Sequence, residues 1–223
     1  MCYHVSRPTA RALQAGLQSD FRITQADSER HSGFNHPDLP ATLSGNSGKI
    51  AYLQWGFIPA WVNSAEQAQK LQNISLNARA ETMFEKPMFR DAALHHRCVI
   101  WLAGFYEWQH AGKEKIPYFI HLPEGELLGV GGLMSTWNSP ETGADVQTCS
   151  IITTNANELM AEIHNTKKRM PLILPKEARD EWLSADADQA AIEKLLQPFE
   201  NGRLIAEKVC EEPKKESPQA SLF

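Results

Sequence analysis

The chain has 223 residues, 42% hydrophobic and 22% charged, with a formal net charge of −5 at pH 7. That length holds one large domain or two small ones, the composition is that of an ordinary globular protein, and no apolar run approaches the ~20 residues of a bilayer-spanning helix. The negative charge excludes a global attraction to nucleic acid, so any such binding needs a local basic face.

Met1-Cys2 comes first. Initiator methionine is normally removed before a side chain as small as cysteine, which leaves an N-terminal 1,2-aminothiol. Its amine condenses with an aldehyde to an imine, and its thiol then closes on the imine carbon to give a five-membered thiazolidine. With pKa values of roughly 7.8 for an α-amine and 10.4 for lysine, the free-base fraction near neutral pH is ~300-fold higher at the terminus. MCYHVSRPTARAL has no apolar signal region and reads as mature and cytoplasmic. PTARALQAGLQSDF then has helical spacing, with Thr9 as its N-cap.

RHSGFNHPDLPATLSGNSG, rich in Pro, Gly, Ser and His, reads as an extended, loop-like stretch. KIAYLQWGFIPAW is an alternating strand that runs into a Pro-aromatic turn. NSAEQAQKLQ is a polar surface helix or excursion, ISLNARAETMF begins extended, and KPMFRDAALHHR is a short helix. Four β-rich runs follow, RCVIWLAGFYEWQH, KIPYFIHL, ELLGVGGLMSTW and DVQTCSIITTN, separated by the turn-like AGKE, PEGE and NSPETGA. ANELMAEIH is a short helix, MPLILP a strand, and KEARDEWLS and DQAAIEKLLQPF are amphipathic helices. Strands dominate the middle and do not alternate with crossover helices, which excludes a doubly wound parallel sheet. The expected fold is α+β, a single domain over residues 1–209 with a curved, barrel-like, mainly antiparallel β core flanked by helices. Residues 210–223 read as a flexible tail.

Cys2, Cys98, Cys149 and Cys210 form no CxxC pair, which argues against a zinc site or a secreted disulfide framework. Cys98 and Cys149 sit in apolar runs and read as core residues. Asn77, Arg79 and Glu81 alternate in SLNARAET, so an extended chain puts them on one face, either solvated or turned to a ligand. Glu107 lies between Tyr106 and Trp108 at the end of an apolar strand. It points to water there, or it is held among aromatics with a raised pKa suited to general acid–base work. His164 follows a short helix and precedes Lys167, Lys168 and Arg169, a proton shuttle beside a phosphate-holding cluster or a structural histidine beside a solvated loop. Trp55, Phe57 and Trp61 surround Pro59, as core or as a stacking platform for an unpaired base.

In this order, the N-terminal Cys, WGFIPAW, LNARAET, GFYEW and IH…RMPLIL resemble the SOS-response-associated peptidase family, the abasic-site processing proteins, from residue 2 to about residue 175. The resemblance implies a single α+β domain that binds single-stranded DNA and captures abasic sites through Cys2 as a stable thiazolidine, with peptidase-like removal of its own Met1; an imine on the sugar would also acidify the neighbouring carbon, which adds strand cleavage by β-elimination as a side activity. It implies Cys2 as the covalent nucleophile, Asn77 orienting the N-terminus, and Glu107 and His164 as the remaining catalytic pair. Arg79, Trp61, Trp108, Thr153, Lys167, Lys168 and Arg169 would meet DNA. The chain departs from the usual MCGR start with Tyr3-His4, and NTKK separates His164 from Arg169, so the phosphate-contacting base in that loop stays open among Lys167, Lys168 and Arg169. This chemistry requires no metal and no organic cofactor. The rival readings are an N-terminal-nucleophile amidohydrolase on a βααβ sandwich, and a non-covalent single-stranded-DNA-binding module.

The last five residues, QASLF, resemble the bacterial sliding-clamp binding motif, with Gln219 fixing orientation and Leu222 and Phe223 entering a groove. The expected protein is a cytoplasmic, nucleoid-associated monomer acting on single-stranded DNA with abasic sites.

Overall fold

Period-two alternation dominates the middle of the sequence, and the chain answers it with strands. The computed structural model describes residues 2–17 and 29–209. In chain order its strands are β1 (His4–Ser6), β2 (Arg30–Ser32), β3 (Asp38–Leu43), β4 (Asn46–Trp55), β5 (Asn77–Arg79), β6 (Arg97–Leu102), β7 (Gly104–Ala111), β8 (Glu114–His121), β9 (Leu128–Asn138), β10 (Asp145–Asn155), β11 (Arg169–Pro171) and β12 (Ile205–Lys208). The helices are α1 (Ala10–Leu17), α2 (Ala65–Ile74), α3 (Arg90–His95), α4 (Glu158–Ile163), α5 (Arg179–Leu183) and α6 (Gln189–Lys194). None is long and apolar enough to cross a membrane.

Five strands close a ring. β3 pairs with β4 and β6, β6 with β9, β9 with β10, and β10 returns to β4 through the one parallel joint, Thr148 opposite Gln54 and Cys149 opposite Trp55. β10 outruns the ring and there pairs with β5 in parallel and β11 antiparallel. The second sheet runs β12-β8-β7-β1-β2 and is antiparallel throughout. This is the α+β, barrel-centred fold that the alternation implies. It replaces the βααβ sandwich that an N-terminal-nucleophile amidohydrolase needs, and that rival is set aside.

β6 is buried at every position because both its faces are covered. Cys98, Ile100 and Leu102 join Leu39, Leu53, Val130 and Ile151 inside the ring, while Val99 and Trp101 face outward against Leu172, Trp182 and Ile192. Each such aliphatic side chain contributes roughly 1.5–3 kcal/mol on burial, against ~0–1 for an exposed ion pair such as Glu66–Lys70. Packing of the ring decides the fold.

Arg97 is fully buried and has no carboxylate partner among the described residues. Its guanidinium instead donates to four carbonyl oxygens: those of Ala93 (3.2 Å) and Leu94 in the last turn of α3, Trp182 (2.8 Å) in α5, and Ser184 (2.5 Å) just beyond it. Helix ends leave carbonyls without intrahelical donors, and Arg97 supplies donors for two of them at once. Arg97→Met is expected to keep the volume and strand these carbonyls, lowering stability by about 3 kcal/mol. The check is the urea midpoint, at unchanged m-value.

Several expectations are met closely. Thr9 Oγ1 accepts from Ala12 N–H (3.2 Å) at the start of α1, the polar NSAEQAQKLQ holds helix α2, and Cys98 and Cys149 are core. Residues 18–28, where the rest of PTARALQAGLQSDF falls, lie outside the described residues, as do Met1 and residues 210–223 with Cys210 and the clamp-like QASLF. Two expectations need correction. The stretch read as loop-like holds β2 and β3, and β3 is a ring strand. Its Pro40 lies before Ala41, where pairing with β6 begins, so the missing N–H costs that edge nothing. Glu107 also lies within β7 rather than at a strand end, because the ladder with β8 continues to Ala111.

Candidate active site

Cys2 leads directly into β1, which is hydrogen-bonded between β2 and β7. Cys2 therefore enters beside an inner strand and is itself only 1% exposed. Asn77 Nδ2 donates to the Cys2 carbonyl (2.8 Å), which ties the start of one sheet to β5 at the margin of the other. The site lies in this seam between sheets. The Asn77 Oδ1 is buried and has no hydrogen-bond partner among the described residues, so the amide is anchored on one side only. Burial, reinforced by the Glu107 carboxylate, pushes the Cys2 thiol far above its usual pKa. The thiol rests protonated.

Glu107 is 6% exposed and comes from the centre of β7. Burial raises its pKa from the ordinary 4.5 to about 7, partly offset by the positive amino terminus. It can therefore give or take a proton at neutral pH. His164 arrives differently. Asn157 caps α4 by accepting from Met160 N–H (3.0 Å), the helix stops at Ile163, and His164 is its C-cap. Lys168 then adopts a left-handed conformation (φ 48°) and donates its backbone N–H to the His164 carbonyl (2.8 Å), closing the loop. His164 Nδ1 lies 2.9 Å from the Arg169 carbonyl and 3.3 Å from the Arg169 nitrogen. The shorter contact assigns the proton to Nδ1 and leaves the lone pair on Nε2. Burial holds this imidazole below its usual pKa, hence neutral. Its Nδ1 is 4.0 Å from Glu107 Oε1, so the two share a site without a hydrogen bond at these atoms.

Tyr3, His4, Glu107, Trp108, His110, Lys115, His164, Thr166 and Lys167 line a cleft of about 480 Å³ above these groups. His4 sets its ring edge-on to Trp108, centroids 4.9 Å apart, and its Nδ1 is buried with no partner among the described residues. Burial and Arg30 lower its pKa.

The expected DNA contacts divide. Arg79 is exposed at the end of β5, Trp61 is 58% exposed, Trp108 is half-buried in the cleft wall, and Lys167 and Lys168 are exposed. Arg169 and Thr153 belong elsewhere. Arg169 is buried, gripping both oxygens of Glu81, Asn155 Oδ1 (3.1 Å) and the Thr153 carbonyl (2.5 Å). Thr153 is fully buried and bonds the Ala78 carbonyl (3.3 Å). These two residues clasp β5, β10 and β11 together, which leaves Lys167 and Lys168 as the open bases of the loop. The shared face of SLNARAET is likewise shorter than expected: Asn77 and Arg79 flank buried Ala78, but the strand ends at Arg79, and Glu81 turns to Arg169. His110 and Lys115 were not singled out, although counting outward from the AGKE turn places them opposite each other.

Three comparisons bear on this arrangement. A family model described as "SOS response associated peptidase (SRAP)" matches residues 1–214. The chain is 40% identical over 210 residues to abasic site processing protein YoqW of Bacillus subtilis (strain 168), covering 89% of this chain and 90% of that one. It is 34% identical over 170 residues to abasic site processing protein HMCES of Gallus gallus, covering 67% of this chain and 49% of the relative. Among solved structures, a protein from Bacteroides thetaiotaomicron superposes with a TM-score of 0.86 at 36% identity, covering 94% of this chain and 92% of that one.

Proposed function

Because this chain belongs to the SOS response associated peptidase family, we propose that it recognises abasic sites in single-stranded DNA and captures them covalently on Cys2. The observation that carries the reading is the placement of an N-terminal cysteine in a seam with Asn77, a carboxyl poised near neutral pH, and a neutral imidazole. With Met1 removed, the α-amine of Cys2 attacks C1′ of the ring-opened sugar. The carbinolamine loses its hydroxyl as water, taking a proton from Glu107, and a protonated imine forms. The thiol adds to the imine carbon, its proton passes to the Glu107 carboxylate or the free nitrogen of His164, and the thiazolidine closes. One water leaves overall. Asn77 holds the Cys2 carbonyl, and its open Oδ1 is the acceptor for the new amine.

Two side activities belong to the same reading. Glu107 and His164 serve hydrolysis of the Met1–Cys2 bond, and the imine acidifies C2′, so strand cleavage by β-elimination competes whenever ring closure is slow. The reading also makes the protein a cytoplasmic monomer at damaged DNA, with Gln219, Leu222 and Phe223 of the tail docking a sliding clamp.

Mixing the full-length protein with an oligonucleotide carrying one abasic site should give a heat-stable, slower-migrating band. Binding of the strand without such a band would favour the non-covalent module instead. Arg79→Ala should weaken binding of undamaged single strands and lower the slope of log affinity against log salt by about 0.7, one phosphate contact. An unchanged slope would remove Arg79 from the interface.

A further inference from the structure

The tip of the β7–β8 hairpin is fastened to the loop that carries His164. Asn165 Nδ2 donates to the His110 carbonyl (2.8 Å), and Asn165 Oδ1 accepts from the His110 N–H (3.1 Å). One side-chain amide thus satisfies both backbone groups of a strand residue, as a neighbouring strand would. Gln109 Nε2 adds a bond to the Glu162 carbonyl (3.2 Å) in α4. Three hydrogen bonds thus join the hairpin to α4 and the loop after it.

This junction is cationic where it meets the cleft. His110 and Lys115 face each other across the hairpin, and both line the cleft with Lys167. Lys167 and His110 are close enough to oppose protonation of His164. Lys115, Lys167 and Lys168 are exposed, and none forms an ion pair with a carboxylate among the described residues. Among the described residues, Glu107 is the one acidic side chain in the cleft lining. Unpaired cations gathered on one rim repel one another, in a chain whose net charge is −5, and a polyanion relieves that repulsion. Arg79 stands apart, on β5 of the other sheet and outside the cleft lining.

We propose that His110, Lys115 and Lys167 form a second phosphate-binding rim, latched by Asn165, that holds the DNA strand on one side of the captured sugar while Arg79 meets the strand elsewhere. The proposal rests on the DNA-processing reading above. A nucleic-acid strand fits better than an acidic peptide because it carries a charge at every residue and its bases can stack on the Trp108 side of the same cleft.

The test uses non-covalent binding, which is independent of the chemistry at Cys2. Affinity of the full-length protein for a short undamaged oligothymidylate is measured by fluorescence anisotropy across a salt series. Lys115→Gln and Lys167→Gln should each lower the log–log salt slope by about 0.7. Asn165→Ala should weaken binding in the wild type and have little further effect in Lys115→Gln, since both act on one contact. An unchanged slope in both lysine variants overturns the proposal. So does a wild type that does not bind the oligonucleotide, or one from which oligoglutamate of equal charge displaces it equally well. Abasic-site capture is scored in parallel: strand binding with normal slopes but no capture would sink the reading at Cys2 and leave the rim standing.

Discussion

On the proposed chemistry, Cys2→Ser is expected to stop stable crosslinking but not imine formation. Serine is as small as cysteine, so Met1 is still removed and the terminal amine is still presented by β1. The Asn77 bond to the residue-2 carbonyl does not involve the side chain and survives. What is lost is the second step, because a hydroxyl is a far weaker nucleophile than a thiol. Incubated with abasic single-stranded DNA, the variant should show a heat-stable band only after borohydride reduction, and background without it. The unreduced imine persists longer, so strand cleavage should rise. A heat-stable band from unreduced Cys2→Ser would refute ring closure through sulfur.

Glu107→Gln should slow capture by about 10²–10⁴-fold, the usual worth of a positioned acid–base group. Glutamine fills the same space and cannot exchange the proton, so the defect should appear as a rate and not as lost DNA binding. In the wild type the capture rate should change slope near pH 7, where burial places the carboxyl, and that break should vanish in the variant. Stability gives an independent reading of the same group. Between pH 4.5 and about 7 the folded protein holds a proton that the unfolded chain has released. Wild-type stability therefore falls as pH rises through that window, by on the order of 3 kcal/mol at 1.36 per unit. Glu107→Gln should be free of this loss and outlast the wild type above pH 7. Intact mass adds a third measurement: if Glu107 also serves removal of Met1, the variant retains the methionine. Unchanged capture and an unchanged pH profile would leave Glu107 as a structural carboxyl.

The ring was legible because its strands follow period two and their turns carry Gly, Pro and Asn. β3 was not, because Pro37 and Pro40 give DLPATL the look of a loop, and only the tertiary pairing reveals that neither breaks the ladder. β12 was missed for a similar reason: a short, polar IAEK becomes a strand only where the edge of β8 receives it. At the site, Glu107 was legible from its aromatic neighbours, and His164 from its position just after a short helix. Arg169 was not, since a Lys-Lys-Arg run looks uniformly solvated. The left-handed turn at Lys168 separates two exposed lysines from an arginine folded back onto Glu81. The sequence records charge, and the turn decides which charges reach solvent.

The captured lesion would hang from β1, and that placement has a mechanical meaning. A motor that pulls on the DNA pulls on Cys2, two residues ahead of a strand bonded on both edges, to β2 and β7, and tied across to β5 through Asn77. Load applied there must shear two ladders together, whereas an edge strand could unzip one bond at a time. A polymerase or helicase running into the adduct would meet a firm obstacle until the sheet itself gives way. Tension would then extract the amino terminus and unravel the protein from its first residue.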